Sequence, residues 1–221
     1  MKEPEIKLFN CDCMEYMAKC EDNQFDLAIV DPPYGIGVDR KNNIDTKQHK
    51  NSATESTFYG TQEWDGTIPD EIYFKELIRI SKNQIIWGVN YYPYNLFQGG
   101  RIYWDKCVTM PTYSNGELAY CSKINSLKSF KFAWHGMIQG NMKDKEKRIH
   151  PTQKPVALYK WLLNNYAKEG DKIFDSHGGS RSLAIACWDN GFDHVSCELD
   201  KDYHNDAVER LNNHRKQLRL I

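Results

Sequence analysis

Four consecutive residues, Asp31-Pro32-Pro33-Tyr34, join a carboxylate, two ring-locked backbones and an aromatic face. Each proline fixes its φ and removes an N–H. The segment therefore offers carbonyl and carboxylate acceptors. That set suits a planar group bearing an NH2, which donates to Asp31 and to the Pro32 carbonyl while Tyr34 covers the ring. A second cluster is Asp175-Ser176-His177-Gly178-Gly179-Ser180. Its glycines carry no Cβ, so backbone can approach a ligand closely. Glu198 follows 23 residues after Asp175. An acid ~20 residues past a glycine turn suits the two hydroxyls of a ribose. Gly178 and Gly179 are adjacent, unlike the spaced glycines of a dinucleotide fingerprint, so nothing favours a pyrophosphate.

These groups need strands to carry them. Phe25 to Val30 is a compact apolar run stopped by the double proline, the pattern of a buried parallel strand. Lys172-Ile173-Phe174 reads as the strand entering the glycine turn, and His194 to Cys197 as the strand ending at Glu198. Further strands are expected at Ile6 to Phe9, Gln84 to Val89, Arg101 to Trp104, Glu117 to Cys121 and Phe130 to Trp134. Helical spacing of apolar residues predicts helices over Asp12 to Lys19, Glu71 to Ile80, Pro155 to Tyr166 (with Gly170 as its stop), Ser182 to Asp189 and Tyr203 to Asn213. Strand, glycine turn, helix, strand, acid, helix is the order of a nucleotide-binding α/β half.

The chain has 221 residues, 40% hydrophobic and 27% charged, with net charge −1. That length predicts one domain spanning 1–221, with a polar loop at 36–66. A uniformly basic coat is excluded; local basic patches are not. Seven cysteines in an odd, scattered set argue for reduced thiols. Cys11, Cys13 and Cys20 lack the paired spacing of a zinc site, so no metal is expected. No apolar run is long enough to cross a membrane. The charged N-terminus lacks the apolar stretch of a signal peptide, which predicts a cytoplasmic chain.

Asp31-Pro32-Pro33-Tyr34 resembles the catalytic motif of amino-group DNA methyltransferases. His150-Pro151-Thr152-Gln153-Lys154-Pro155, the Asp175 to Ser182 turn and Asn10-Cys11-Asp12-Cys13 resemble three further motifs of that family. The catalytic motif comes first and the cofactor turn late. That order resembles the permuted, beta-type members known from phage and bacteria. The likeness runs from Leu8 to about Leu211. It implies an α/β fold: a mostly parallel, circularly permuted, Rossmann-like S-adenosylmethionine-dependent methyltransferase sheet, with a small target-recognition insertion at 107–147. It departs from the family at Ser176-His177, where Pro-Phe is usual, and at Arg181, where glycine is common; Arg181 could narrow the cofactor turn.

The resemblance implies methyl transfer from S-adenosylmethionine to adenine N6 in DNA, with the base flipped toward Asp31, Pro32, Pro33 and Tyr34. It places the cofactor against Asp12, Asp31, Thr152, Lys154, Asp175, Ser176, His177, Gly178, Gly179, Ser180 and Glu198. Asp12 takes the adenine edge, Glu198 the ribose, and Thr152 and Lys154 assist at the methionine end. Asp in the first motif position favours adenine, whereas Ser is common in cytosine-N4 enzymes. A cytosine-N4 enzyme and an inactive DNA-binding homologue stay open as alternatives. RNA or protein amide acceptors are more distant, since Asn usually replaces Asp31 there. Basic residues from Lys123 to Arg148 outnumber acids by five, with Lys123, Lys128, Lys131, Lys147 and Arg148 the expected phosphate contacts. Arg40, Lys41 and Lys47 form a second cluster. The small recognition segment implies a short target sequence or a helping partner subunit, such as a second copy in a homodimer.

Overall fold

The structure is a computed structural model, and it describes residues 3–37, 65–108, 114–135 and 137–216. Arg40, Lys41 and Lys47, and most of the 36–66 loop, lie outside the described residues.

One sheet contains β1 (Ile6–Asn10), β2 (Leu27–Val30), β3 (Gln84–Trp87), β4 (Gly100–Asp105), β5 (Gly116–Cys121), β6 (Leu127–Lys131), β9 (Lys172–Asp175) and β10 (Asp193–Glu198). Its order is β1-β10-β9-β2-β3-β5-β4-β6. The first five strands in that order are mutually parallel, β5 is antiparallel to both neighbours, and β4 and β6 are parallel. A two-stranded ribbon, β7 (Trp134–His135) and β8 (Ile138–Gln139), stands beside it. The helices are α1 (Cys13–Met17), α2 (Glu71–Ile80), α3 (Val156–Tyr166), α4 (Ser182–Asn190) and α5 (Lys201–Lys216).

Alternation along β2 explains the layering. Leu27 and Ile29 pack with Leu158, Leu162 and Leu163 of α3 and Leu183 and Cys187 of α4. Ala28 and Val30 pack on the opposite face with Met17 of α1 and Phe74, Leu77 and Ile80 of α2. Each such fully buried leucine, isoleucine, valine, methionine or phenylalanine contributes about 1.5–3 kcal/mol. Helices on both faces of a parallel sheet leave its carboxyl edge as the place for ligands. From β9 the chain crosses by α4 outward to β10; from β2 it crosses by α2 outward to β3. The ends of β9 and β2 therefore diverge, and a crevice opens between them. Asp175 ends one strand and Asp31 follows the other.

Several boundaries differ from the sequence expectation. The run Phe130 to Trp134 is not one strand. β6 ends at Lys131, and the chain turns away where Trp104 Nε1 donates to the Phe132 carbonyl (3.0 Å). Trp134 then buries its ring and donates through Nε1 to the Gln153 carbonyl (2.6 Å). α3 ends at Tyr166, as expected, but its cap is Ala167 in extended conformation, three residues before Gly170. α5 is longer at both ends than its apolar spacing suggested; at its start Asp200 accepts from the backbones of Asp202 and Tyr203. Within the expected 107–147 insertion, β5 and β6 are strands of the main sheet; the ribbon and the segment after it stand outside it.

The core also holds a titration liability. His194 on β10 is buried, and neither ring nitrogen has a hydrogen-bond partner among the described residues. Burial and nearby Arg181 push its pKa down to about 3. Burial does the same to His150, also to about 3. A His depressed in the fold stabilises fully above its unfolded pKa and loses that contribution as pH falls toward the folded one. The contribution of these two histidines to the unfolding free energy should therefore fall between about pH 6.5 and 3. His194→Leu should flatten that slope in urea titrations at stepped pH. An unchanged slope in the variant would show that His194 is not the group that titrates.

Candidate active site: two cavities sharing one wall

The central feature is a buried ion cluster drawn from distant parts of the chain. Lys154 Nζ donates to Asp31 Oδ2 at 2.5 Å, to Glu117 Oε2 at 2.8 Å and to Tyr34 Oη at 3.1 Å. An ammonium has three N–H donors, and here each has an oxygen. Lys106 Nζ pairs with the other oxygen of Glu117. Tyr34 Oη donates to Asp31 Oδ1 at 2.6 Å and lies 3.0 Å from Glu117 Oε2. Lys154 is 3% exposed and Glu117 18%. Burial would lift the Glu117 carboxyl, but Lys154 and Lys106 outweigh it and hold its pKa at about 2. For Asp31, burial wins: its pKa is raised despite Lys154, with Glu117 adding repulsion. Lys154 is held protonated, the two carboxylates overcoming its burial.

Local structure explains why these groups meet. The prolines turn the chain sharply after β2, and Asp65 Oδ1 accepts from the Tyr34 and Gly35 backbones at 2.8 and 3.0 Å. Tyr34 stacks on Tyr91 with ring centroids 5.0 Å apart. Gly88, which ends β3, has φ +73, and a Cβ there would lie 2.2 Å from the Tyr34 ring. Only glycine leaves that ring its place. Because β5 runs antiparallel, with Ala119 opposite Trp87, Glu117 reaches past the carboxyl end of β3. The His150 to Pro155 segment is braced by its own Gln153, whose Oε1 accepts from the Ile149 backbone and whose Nε2 donates to the Lys147 carbonyl. Glu146 Oε1 accepts the Val156 N–H at the start of α3 (2.9 Å).

Two cavities flank the cluster. The larger, about 510 Å³, is lined by Asp12, Asp31, Thr152, Lys154, Ser176, His177, Gly178, Gly179, Ser180 and Glu198, among others. The smaller, about 310 Å³, is lined by Asp31, Pro32, Pro33, Tyr34, Tyr91, Lys106, Glu117, Trp134, His135 and Arg148, among others. Asp31, Pro33, Thr152, Gln153 and Lys154 belong to both walls.

Within the larger cavity, Glu198 Oε2 accepts from Gly179 N (2.7 Å) and Oε1 from Asp200 N (3.0 Å). Its burial raises its pKa against those donors. Asp12 caps α1 through Oδ1, accepting from Met14 N at 2.6 Å. Asp175 sits behind the wall, where Oδ1 accepts from His177 N (3.1 Å); burial lifts its pKa to about 7 despite Arg181. Lys154, read from the sequence as a cation for the cofactor's methionine end, has its ammonium committed to the cluster. The Pro32 carbonyl, read as a free acceptor, takes the Tyr92 hydroxyl at 3.0 Å.

Arg181 does not line the larger cavity. It adopts φ +57, the left-handed region glycine would take, and turns beneath the loop. Its guanidinium bonds Ser196 Oγ and donates to the Phe9 carbonyl (3.1 Å). A Cβ on Gly178 would lie 2.4 Å from the Arg181 guanidinium, so Gly178 clears the arginine.

Of the expected phosphate contacts among the described residues, Arg148 is the one that lines either of these two cavities, its guanidinium 4.5 Å from the Trp134 ring centre. Lys123, Lys128, Lys131 and Lys147 line neither of these cavities. Lys128 and Lys131 are three residues apart on edge strand β6, hence on opposite faces. Sequence reasoning missed Glu117, Lys106, Asp65, Tyr91 and Tyr92. A signal for Glu117 existed: strand alternation puts it on the face of Ala119 and Cys121, both buried, so a charge is aimed inward.

The fold is that of the Rossmann-like S-adenosylmethionine-dependent methyltransferases. Residues 105–209 match the family model described as DNA methylase. The Type II methyltransferase M2.MboI of Moraxella bovis is 23% identical over 226 residues, covering 83% of this chain and 79% of that protein. Among solved structures, an M1.HpyAVI–SAM complex superposes with TM-score 0.54 at 18% identity, covering 93% of this chain and 99% of that one. The cytosine-N4-specific PvuII DNA methyltransferase gives TM-score 0.59 at 12% identity, covering 100% and 91%.

Removing one member of a buried ion pair leaves its partner uncompensated and costs about 3–5 kcal/mol. Lys154→Met should lose that much in urea unfolding at neutral pH. Adding Glu117→Gln should recover part of it, since it removes the Glu117 charge that repels the now unpaired Asp31. A loss below about 1 kcal/mol, the size of a solvated surface pair, would refute the cluster as a charge-bearing unit.

Proposed function

We propose that the chain transfers a methyl group from S-adenosylmethionine to an exocyclic amino group of a base in DNA, with adenine N6 as the acceptor. The observation that carries this reading is the pair of cavities sharing Asp31; on this reading the donor takes one, the acceptor base the other, and they meet at one carboxylate. The residues of the larger cavity suit the cofactor. Glu198 stands where a ribose diol is expected, and the backbone of the Gly178–Gly179 turn is accessible. The cofactor supplies an electrophilic methyl carbon on a sulfonium.

The protein's part is binding, orientation and charge. The extruded base enters the smaller cavity against Tyr34 and Tyr91, which replace its lost stacking. Its amino N–H bonds point to Asp31 and the Pro32 carbonyl, drawing electron density toward a nitrogen whose lone pair is otherwise conjugated with the ring. The same acceptors stabilise the positive charge that develops there. Holding both reactants in line supplies much of the remaining acceleration. Asp31 Oδ1 need not release its tyrosine into a void, because Glu117 offers the Tyr34 hydroxyl a second acceptor. The methylated nitrogen then loses a proton to Asp31 or to water. No covalent enzyme intermediate is needed, so the cysteines stay outside the chemistry. Arg148, at the smaller cavity, is the basic residue best placed to meet a phosphate beside the extruded nucleotide.

Cytosine N4 is the second reading, favoured by the likeness to the PvuII enzyme. Incubating the protein with S-adenosylmethionine and unmethylated DNA, digesting to nucleosides and weighing the products separates the two. N6-methyladenine is expected; N4-methylcytosine would keep the mechanism and change the base; no methylated nucleoside would count against both. Asp31→Ala should abolish transfer while cofactor affinity by calorimetry stays within about twofold, since Asp31 serves the acceptor. Glu198→Ala should weaken cofactor binding by about ten- to a hundredfold, the size expected for a charge-assisted hydrogen bond. An unchanged dissociation constant would take Glu198 out of the ribose site.

A further inference from the structure

The pair Ser176-His177 stands where the resemblance expects Pro-Phe, and the structure gives that departure a chemical form. Tyr73 Oη lies 2.6 Å from Ser176 Oγ, and Ser176 Oγ lies 2.8 Å from His177 Nδ1. Tyr73 comes from α2, where Asp70 accepts its backbone N–H at 3.0 Å and fixes the first turn. All three residues line the larger cavity. The Tyr73 ring meets the His177 ring edge-on at 5.4 Å.

Proton accounting sets the direction of this chain. The Tyr73 hydroxyl is buried, 3% exposed as a residue, and has one hydrogen to place. Ser176 Oγ is its one acceptor among the described residues. Ser176 then accepts from Tyr73, and its own hydrogen goes to the remaining neighbour, His177 Nδ1. A ring nitrogen that accepts carries no proton, so a neutral His177 holds its proton on Nε2. Burial keeps the ring neutral, its pKa pushed down to about 4 even with Asp12 nearby pulling the other way. Nε2 has no hydrogen-bond partner among the described residues, and His177 belongs to the cavity wall.

Resting on the cofactor reading above, we propose that Tyr73, Ser176 and His177 form a directed hydrogen-bond chain that presents His177 Nε2–H as a donor to an acceptor atom of the bound S-adenosylmethionine. That acceptor is either its carboxylate or a ring nitrogen of its adenine. Proline and phenylalanine at positions 176 and 177 could neither relay nor donate such a bond. The chain is therefore a route to cofactor recognition that a Pro-Phe pair would not supply.

The test combines spectroscopy with binding. With 15N-labelled histidine, the His177 resonances (assigned by their loss in His177→Phe) should show a protonated Nε2 and an unprotonated Nδ1. Tyr73→Phe should shift them toward a mixture of both tautomers. A protonated Nδ1 in the unmutated protein would overturn the proposal. By calorimetry, Tyr73→Phe and Ser176→Ala should each weaken S-adenosylmethionine binding about three- to tenfold, one neutral hydrogen bond's worth. Tyr73→Phe should have no further effect in a His177→Phe background, because it acts through the imidazole. Additive losses, or folded single variants with unchanged affinity, would overturn the proposal while leaving the cofactor reading intact. An unmutated protein that binds no S-adenosylmethionine would defeat that reading itself. Repeating the series with 5′-methylthioadenosine distinguishes the two acceptors: a retained penalty assigns adenine, and a lost one assigns the carboxylate.

Discussion

One ammonium group organises the carboxyl edge of the sheet, where the two cavities meet. Lys154 has its three donors on Asp31, Glu117 and Tyr34, which lie as many as 123 positions from it in the sequence. Asp31 follows β2, Glu117 lies on antiparallel β5, and Lys154 comes from the braced turn before α3. Two acids and two lysines make the cluster neutral as a whole. Without that balance, burying carboxylates at the divergence of β9 and β2 would be strongly unfavourable. With it, a carboxylate can sit dehydrated at the wall between two cavities, where its interaction with a substrate is strongest.

The glycine turn after β9 shows the same balance of charge solved differently. Arg181 takes a left-handed backbone that costs an ordinary residue about 1–3 kcal/mol. Its side chain then lies under the loop, near the buried acids Asp175 and Glu198, which favour its charge against its burial. The cation is thus turned away from the cavity and becomes part of the floor of the turn. Expectations drawn from the loss of a glycine concern access from above, and the side chain takes none of that space.

Much of this was legible in the sequence because local patterns sufficed. The double proline ends β2 where the sequence says it must. The glycine turn sits between β9 and α4, and Glu198 ends β10. Each depends on a few neighbours and on the two periodicities of strand and helix. What was not legible depends on long-range pairing. Lys154 was read as a cation for a carboxylate, which is chemically apt, but the carboxylates it meets belong to Asp31 and Glu117. Glu117 required knowing that β5 reverses direction beside β3; with parallel pairing the same residue would emerge at the opposite edge of the sheet. The run Phe130 to Trp134 failed as one strand for a similar reason. Trp104 and Gln153, distant in sequence, supply the partners that pull it off the sheet.

The shared wall also sets the order in which groups must move. In this structure both Asp31 oxygens have donors, and the Pro32 carbonyl has Tyr92. A base amino group entering the smaller cavity competes with a hydroxyl, and the hydroxyl has somewhere to go: Tyr34 Oη is 3.0 Å from Glu117. Lys154, bonded to the other Asp31 oxygen, can stay. On the proposed reaction, positive charge passes from one cavity to the other while the cluster's own charges remain fixed. Asp31 thus faces a developing cation with one oxygen while its other oxygen keeps the lysine. That arrangement limits how strongly the carboxylate can hold the product. A carboxylate without the lysine would bind the methylated, still-protonated amine more tightly and release it more slowly. On that reaction Lys154 would temper Asp31 as well as anchor it, and both effects would follow from the same short contact.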